Sequence, residues 1–69
     1  MINNLEAYKV FYYVAKCGSV TKAAGELSIS QPAVSQAVKQ LENTLDVSLF
    51  HRAAKGVRLT GEGELLYSY

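Results

Sequence analysis

The run Ala23-Ala24-Gly25-Glu26-Leu27-Ser28-Ile29-Ser30-Gln31-Pro32-Ala33-Val34-Ser35-Gln36 constrains this chain more than any other. Ser30 is a strong helix N-cap, because its hydroxyl can accept from a first-turn N–H that has no partner within the helix. Pro32 falls in the first turn that follows, where a missing N–H removes no hydrogen bond. The spacing therefore predicts one short helix ending near Leu27, a tight turn, and a second helix over about Gln31 to Leu45. Ile29 before the cap and Val34 one turn after it have the spacing of a hydrophobic staple.

The second of these helices has two faces. At about 100° per residue, Val34, Val38, Leu41 and Leu45 share a narrow arc, and Pro32, Ser35, Gln36 and Lys39 share another, roughly 140° away. An apolar back can bury while a polar front near the N-terminus meets a partner. Glu42 and Asp46 come late, away from that front. Such a helix, entered through a tight turn from a shorter one, is a helix-turn-helix, an arrangement suited to the edges of base pairs in DNA.

The flanks complete a small domain. Leu5, Tyr8, Phe11, Tyr12 and Ala15 recur at three- and four-residue steps, predicting a helix from about Asn4 to Lys16 that buries this stripe and ends at Gly18. Ser19 can cap a helix over Val20 to Leu27, with Ala23, Ala24 and Leu27 inward and Gly25 as a weak point. Val47 to Arg52 is β-favourable, Ala53-Ala54-Lys55-Gly56 reads as a turn, and Val57-Arg58-Leu59 alternates. A two-stranded wing follows, tipped by Lys55 and leaning on the helices through Leu49, Phe50 and Leu59. Thr60 can cap a last helix. The fold class is mainly α: a winged helix-turn-helix of three helices, a two-stranded wing and the start of a C-terminal helix.

Composition bounds the function. The 69 residues suffice for one small core, and 49% hydrophobic content argues against disorder. Net charge is only +1, but Gln31 to Leu59 carries Lys39, Arg52, Lys55 and Arg58 against Glu42 and Asp46. A local basic surface is enough, because phosphate attraction is screened beyond about 8–10 Å. Cys17 is the sole cysteine, so an internal disulfide and a cysteine metal cluster are excluded. No signal peptide or membrane-spanning run is visible, which leads to the expectation of a cytoplasmic protein. His51 has neither a second histidine nor a paired acid, so an enzyme is not expected, and neither are a cofactor or a metal. A winged helix used to bind a protein remains the rival reading, motivated by the near-neutral charge.

Three blocks carry a resemblance. Ala23-Ala24-x-x-Leu27-x-Ile29-Ser30-Gln31-Pro32-Ala33-Val34-Ser35, then Leu41-Glu42-x-x-Leu45-x-Val47-x-Leu49-Phe50-x-Arg52, then Gly56-Val57-Arg58-Leu59-Thr60-x-x-Gly63 together resemble the LysR-type transcriptional regulators over nearly the whole chain. The resemblance implies a bacterial regulator's N-terminal domain that binds double-stranded DNA sequence-specifically. Residues 1–60 would form the DNA-binding domain, and residues 61–69 would begin a truncated linker helix that pairs two copies. The intact protein would be a dimer or tetramer, with a small-molecule effector bound by a C-terminal domain that is not part of this chain. The implied DNA-facing residues are Gln31, Pro32, Ser35 and Gln36 on the helix and Arg52 near the wing. Ser30, Lys39 and Lys55 join them as candidates for phosphate. Gln36 stands where the family often has arginine, and glutamine suits adenine rather than guanine. Ala53 stands where a hydroxyl residue is common, and His51 where an acid is frequent.

Overall fold

The computed structural model describes residues 4–54 and 56–69. The elements run α1 (Asn4–Cys17), α2 (Val20–Leu27), α3 (Gln31–Leu45), β1 (Phe50–Ala53), β2 (Gly56–Leu59) and α4 (Gly61–Tyr67). Hydroxyl caps start three of the four helices. Ser19 accepts from the Lys22 N–H and Ser30 from the Ala33 N–H, each at 3.2 Å, and Thr60 accepts from the Gly63 N–H at 3.0 Å. The bounds of α2 and α3 match those expected from the sequence, and the start of each is written in local chemistry by its capping serine.

The α2–α3 turn closes without a glycine. Ser28 adopts a left-handed conformation (φ 59°), and the Ser28 and Ile29 amides donate to the carbonyls of Gly25 and Ala24. Of the two residues spaced for a staple, Val34 is fully buried and Ile29 is 39% exposed. Backbone hydrogen bonding at the helix end closes the corner.

The core lies where α1 crosses α2 and α3. Val10, Val14, Ala23, Ala24, Val34 and Ala37 form one buried group, and Ala7, Phe11, Leu41 and Leu49 form a second. On α1 the buried face is thus Ala7, Val10, Phe11 and Val14, rotated from the expected stripe. Leu5 is 78% exposed and Tyr12 is 41% exposed. Most of α1 is apolar, so weighting the large aromatics selects the wrong edge. The small Ala7, Val10 and Val14 let neighbouring helices approach closely. Tyr8 and Tyr12 turn toward α4 instead: the Tyr8 hydroxyl donates to the Leu66 carbonyl, and Tyr12 lies 5.4 Å from the Tyr67 ring.

On α3 the buried residues are Val34, Ala37 and Leu41, with Val38 packed beside them. Leu45, expected inside, is exposed. The two helices run in opposite senses, Val34 grouping with Val14 and Leu41 with Ala7. Leu45 lies one turn beyond Leu41, the last buried residue of α3.

The wing is an antiparallel pair in the register Phe50↔Leu59 to Ala53↔Gly56. Its first strand begins at Phe50, later than Val47, because the chain before Phe50 has no strand opposite and hydrogen-bonds elsewhere. The Val47 amide donates to the Glu42 carbonyl, after Asp46 ends α3 in a left-handed conformation. Two contacts seat the hairpin. The Val57 amide donates to the Gly18 carbonyl at 3.1 Å, and the Phe50 ring packs at a tilt with its centroid 5.3 Å from that of the buried Phe11. Gly56, at φ 107°, lies so near Gly18 that a Cβ there would sit 2.2 Å from the Gly18 carbonyl oxygen. At its other end, α4 rests on the segment before β1: the Thr60 amide donates to the Leu49 carbonyl and its hydroxyl to the Ser48 carbonyl.

Candidate nucleic-acid interface

The Ser30 cap and Pro32 set the direction in which α3 leaves the turn. With Val34, Ala37 and Leu41 buried, the helix geometry forces the opposite arc into solvent. Gln31, Pro32, Ser35, Gln36 and Lys39 are all exposed, as expected. Ser30 is exposed too, but its hydroxyl already accepts from Ala33 and serves the helix.

The wing brings Arg52 to the same side. It lies cross-strand from Val57 and shares its face of the hairpin but is exposed, whereas Arg58 is exposed on the opposite face from the inward Val57 and Leu59, as strand alternation requires. A cleft of about 360 Å³ separates the start of α2, the start of α3 and the wing. Its walls include Ser19, Thr21, Gln31, Ser35 and Arg52. A neighbouring groove of about 280 Å³ between α3 and the wing is lined by Ser35, Lys39, Glu42, Phe50 and Arg52 among others. Gln31, Ser35, Lys39 and Arg52 thus come together from α3 and β1. Ser30, Pro32 and Gln36 line neither hollow and lie on the open surface of the helix. Lys55, expected at the wing tip, lies outside the described residues.

Three contributors to these hollows do not stand out in the sequence. Ser19 and Thr21 reach the first cleft from the start of α2. Ser19 reads there only as a cap, and nothing in the local pattern singles out Thr21. Glu42, which reads as remote from the helix front, is the third. Its carboxylate accepts from the backbone amides of Leu49 at 2.7 Å and Phe50 at 3.4 Å. Those two N–H groups satisfy the charge, so it does not present itself to a partner as a free anion would. The cations Lys39 and Arg52 share the groove with it.

A helix-turn-helix whose second helix shows a polar front beside a two-stranded wing is a winged helix-turn-helix domain. Over residues 5–64 the chain matches the family described as bacterial regulatory helix-turn-helix protein, lysR family, and it belongs to that family. It is 41% identical over 66 residues to the HTH-type transcriptional regulator GltR of Bacillus subtilis, covering 96% of this chain and 22% of that protein. It is 47% identical, with the same coverage, to the RuBisCO operon transcriptional regulator of Allochromatium vinosum. The chain therefore spans about a fifth of the length of these relatives. Among solved structures, a BenM_DBD complex with catB site 1 DNA superposes with a TM-score of 0.89 at 34% identity, covering 99% of this chain and 75% of that one. A CbnR_DBD–DNA complex gives 0.88 at 31% identity, covering 97% and 76%. Among the described residues, no helix is long and apolar enough to cross a membrane.

Proposed function

We propose that this chain binds double-stranded DNA sequence-specifically, as the N-terminal reading domain of a bacterial transcriptional regulator acting in the cytoplasm. Residues 1–60 form the reading unit, and residues 61–69 open a linker helix through which two copies pair. The larger protein is a dimer or tetramer, and a small-molecule effector binds outside this segment. In this reading α3 lies in the major groove. Gln31, Ser35 and Gln36 address base edges, and Pro32 makes van der Waals contact. Lys39, Arg52 and Lys55 meet phosphates, and Ser30 anchors the helix start near the backbone.

The observation that carries the proposal is the convergence of Gln31, Ser35 and Arg52, from α3 and the wing, on one cleft open to solvent. The relatives support it: several are transcriptional regulators, and both structural neighbours described above are complexes with DNA. The test is selection of preferred duplexes from a randomised pool at fixed salt, followed by titration of the chain and its variants. Gln31→Ala and Ser35→Ala are expected to change which sequence is preferred. Arg52→Ala and Lys55→Ala should weaken binding to selected and random duplexes alike, each flattening the salt dependence by about 0.9 in log–log slope for every phosphate no longer neutralised. Equal weakening on both duplexes for the α3 changes would overturn the assignment of α3 as the reader. Salt-insensitive, negligible binding by the wild type would favour a protein-binding module.

A further inference from the structure

We propose that Glu42 is a positioning residue for DNA binding: it fixes the wing at a set distance from α3, so that Arg52 and Lys39 address one backbone together. This rests on the DNA-binding reading above. At three- and four-residue steps, Ser35, Lys39 and Glu42 form one stripe along α3, so an acid lies in line with two residues of the proposed interface. Left pointing outward, it would repel phosphate. It is half-buried instead, and its Oε2 accepts from both Leu49 and Phe50 amides. Phe50 is the first residue of β1, and Arg52, two residues on, projects from the same side of the strand. Both line the same groove as Glu42.

The far side of the same segment is gripped independently. Thr60 donates its amide to the Leu49 carbonyl and its hydroxyl to the Ser48 carbonyl, and the Leu49 side chain is fully buried. Without the Glu42 hydrogen bonds the wing therefore stays attached but loses the side-chain tie that sets its spacing from α3. Reach, more than charge, is what the geometry demands of this position.

A pair of conservative variants separates the two. Glu42→Gln keeps the reach and an acceptor oxygen while losing the charge; Glu42→Asp keeps the charge and is one methylene short. Binding is measured by fluorescence anisotropy on a labelled duplex recovered from the random pool, across a salt series. Gln is expected within about twofold of wild type. Asp is expected to bind roughly tenfold more weakly with a shallower salt slope. Arg52→Ala should then cost less in the Asp background than in wild type, since its phosphate contact is already compromised. An Asp variant with wild-type affinity and slope overturns the proposal, as does an Arg52→Ala cost undiminished by it. Tighter binding by Gln with Asp unchanged would assign Glu42 a charge effect and overturn it equally. The geometric part is read without DNA: amide exchange at Leu49 and Phe50 is expected to be slow in wild type and Gln and faster in Asp, and unchanged exchange in Asp refutes it. A wild-type chain that binds no duplex, with that exchange pattern intact, removes the DNA-binding reading and leaves the Glu42 clamp standing.

Discussion

Two glycines, both within helices, should respond to the same substitution with opposite signs. Replacing glycine by alanine inside a helix ordinarily gains up to about 1 kcal/mol, because alanine loses less backbone entropy. Gly25 in α2 is exposed, and an added Cβ would meet nothing within 4 Å. Gly25→Ala should realise most of that gain, raising the melting temperature by roughly 3–6 °C for a domain of this size. Gly63 in α4 is buried, and its Cβ would lie 2.2 Å from the Leu49 carbonyl oxygen and 2.9 Å from Leu59 Cδ2. The carbonyl cannot swing aside cheaply. It accepts from the Thr60 amide at 3.0 Å, and the Leu49 amide is held by Glu42. So α4 must lift off the segment, and overpacking of this kind costs about 1–3 kcal/mol, more than the helix gain returns. The net expectation for Gly63→Ala is a loss on the order of 0.5–2 kcal/mol, a melting temperature lower by roughly 3–12 °C. Thermal unfolding followed by far-ultraviolet circular dichroism, with a urea titration alongside, reads both. A Gly63→Ala chain that melts at or above the wild-type temperature would refute the close seating of α4 on Leu49.

Ser30→Ala removes the acceptor for the Ala33 amide and should cost about 1 kcal/mol in urea unfolding, whereas Ser30→Asp, another good cap, should leave the midpoint nearly unchanged. If both behave alike, the cap is not what starts α3. On the proposed reading, Gln36→Arg should move the preferred base at one operator position from adenine toward guanine in a repeated selection, because arginine pairs with guanine O6 and N7. An unchanged selected sequence would remove Gln36 from the set of readers.

The starts of α2, α3 and α4 are legible in the sequence because each is set by one hydroxyl and its neighbours. Ser19, Ser30 and Thr60 need no knowledge of what lies across the core. The exposed front of α3 is legible for the same reason, since a helix whose other arc is apolar has only one way to turn. What is not legible depends on contacts between distant parts of the chain. The burying face of α1 cannot be chosen among so many apolar residues until α2, α3 and α4 take their sides. Leu45 reads as core by periodicity, yet it is 44% exposed, one turn past the last buried residue of α3. Glu42 looks like a solvated acid on a helix, and its partners are seven and eight residues on, beyond the reach of any helical spacing rule. The cleft that joins Gln31 and Ser35 to Arg52 exists only once the hairpin is docked.

The seat of the hairpin has a consequence for which sequences can share this architecture. The atom that faces a Cβ on Gly56 is the main-chain oxygen of Gly18, not a side chain. A crowded side chain can be relieved by a smaller one opposite, and two such changes can drift together. A carbonyl belongs to whatever residue occupies the position, so no substitution of Gly18 makes room for a side chain in place of Gly56. That junction between the wing and the α1–α2 turn is closed to compensation, and a variant altered there must re-dock the whole hairpin or lose it.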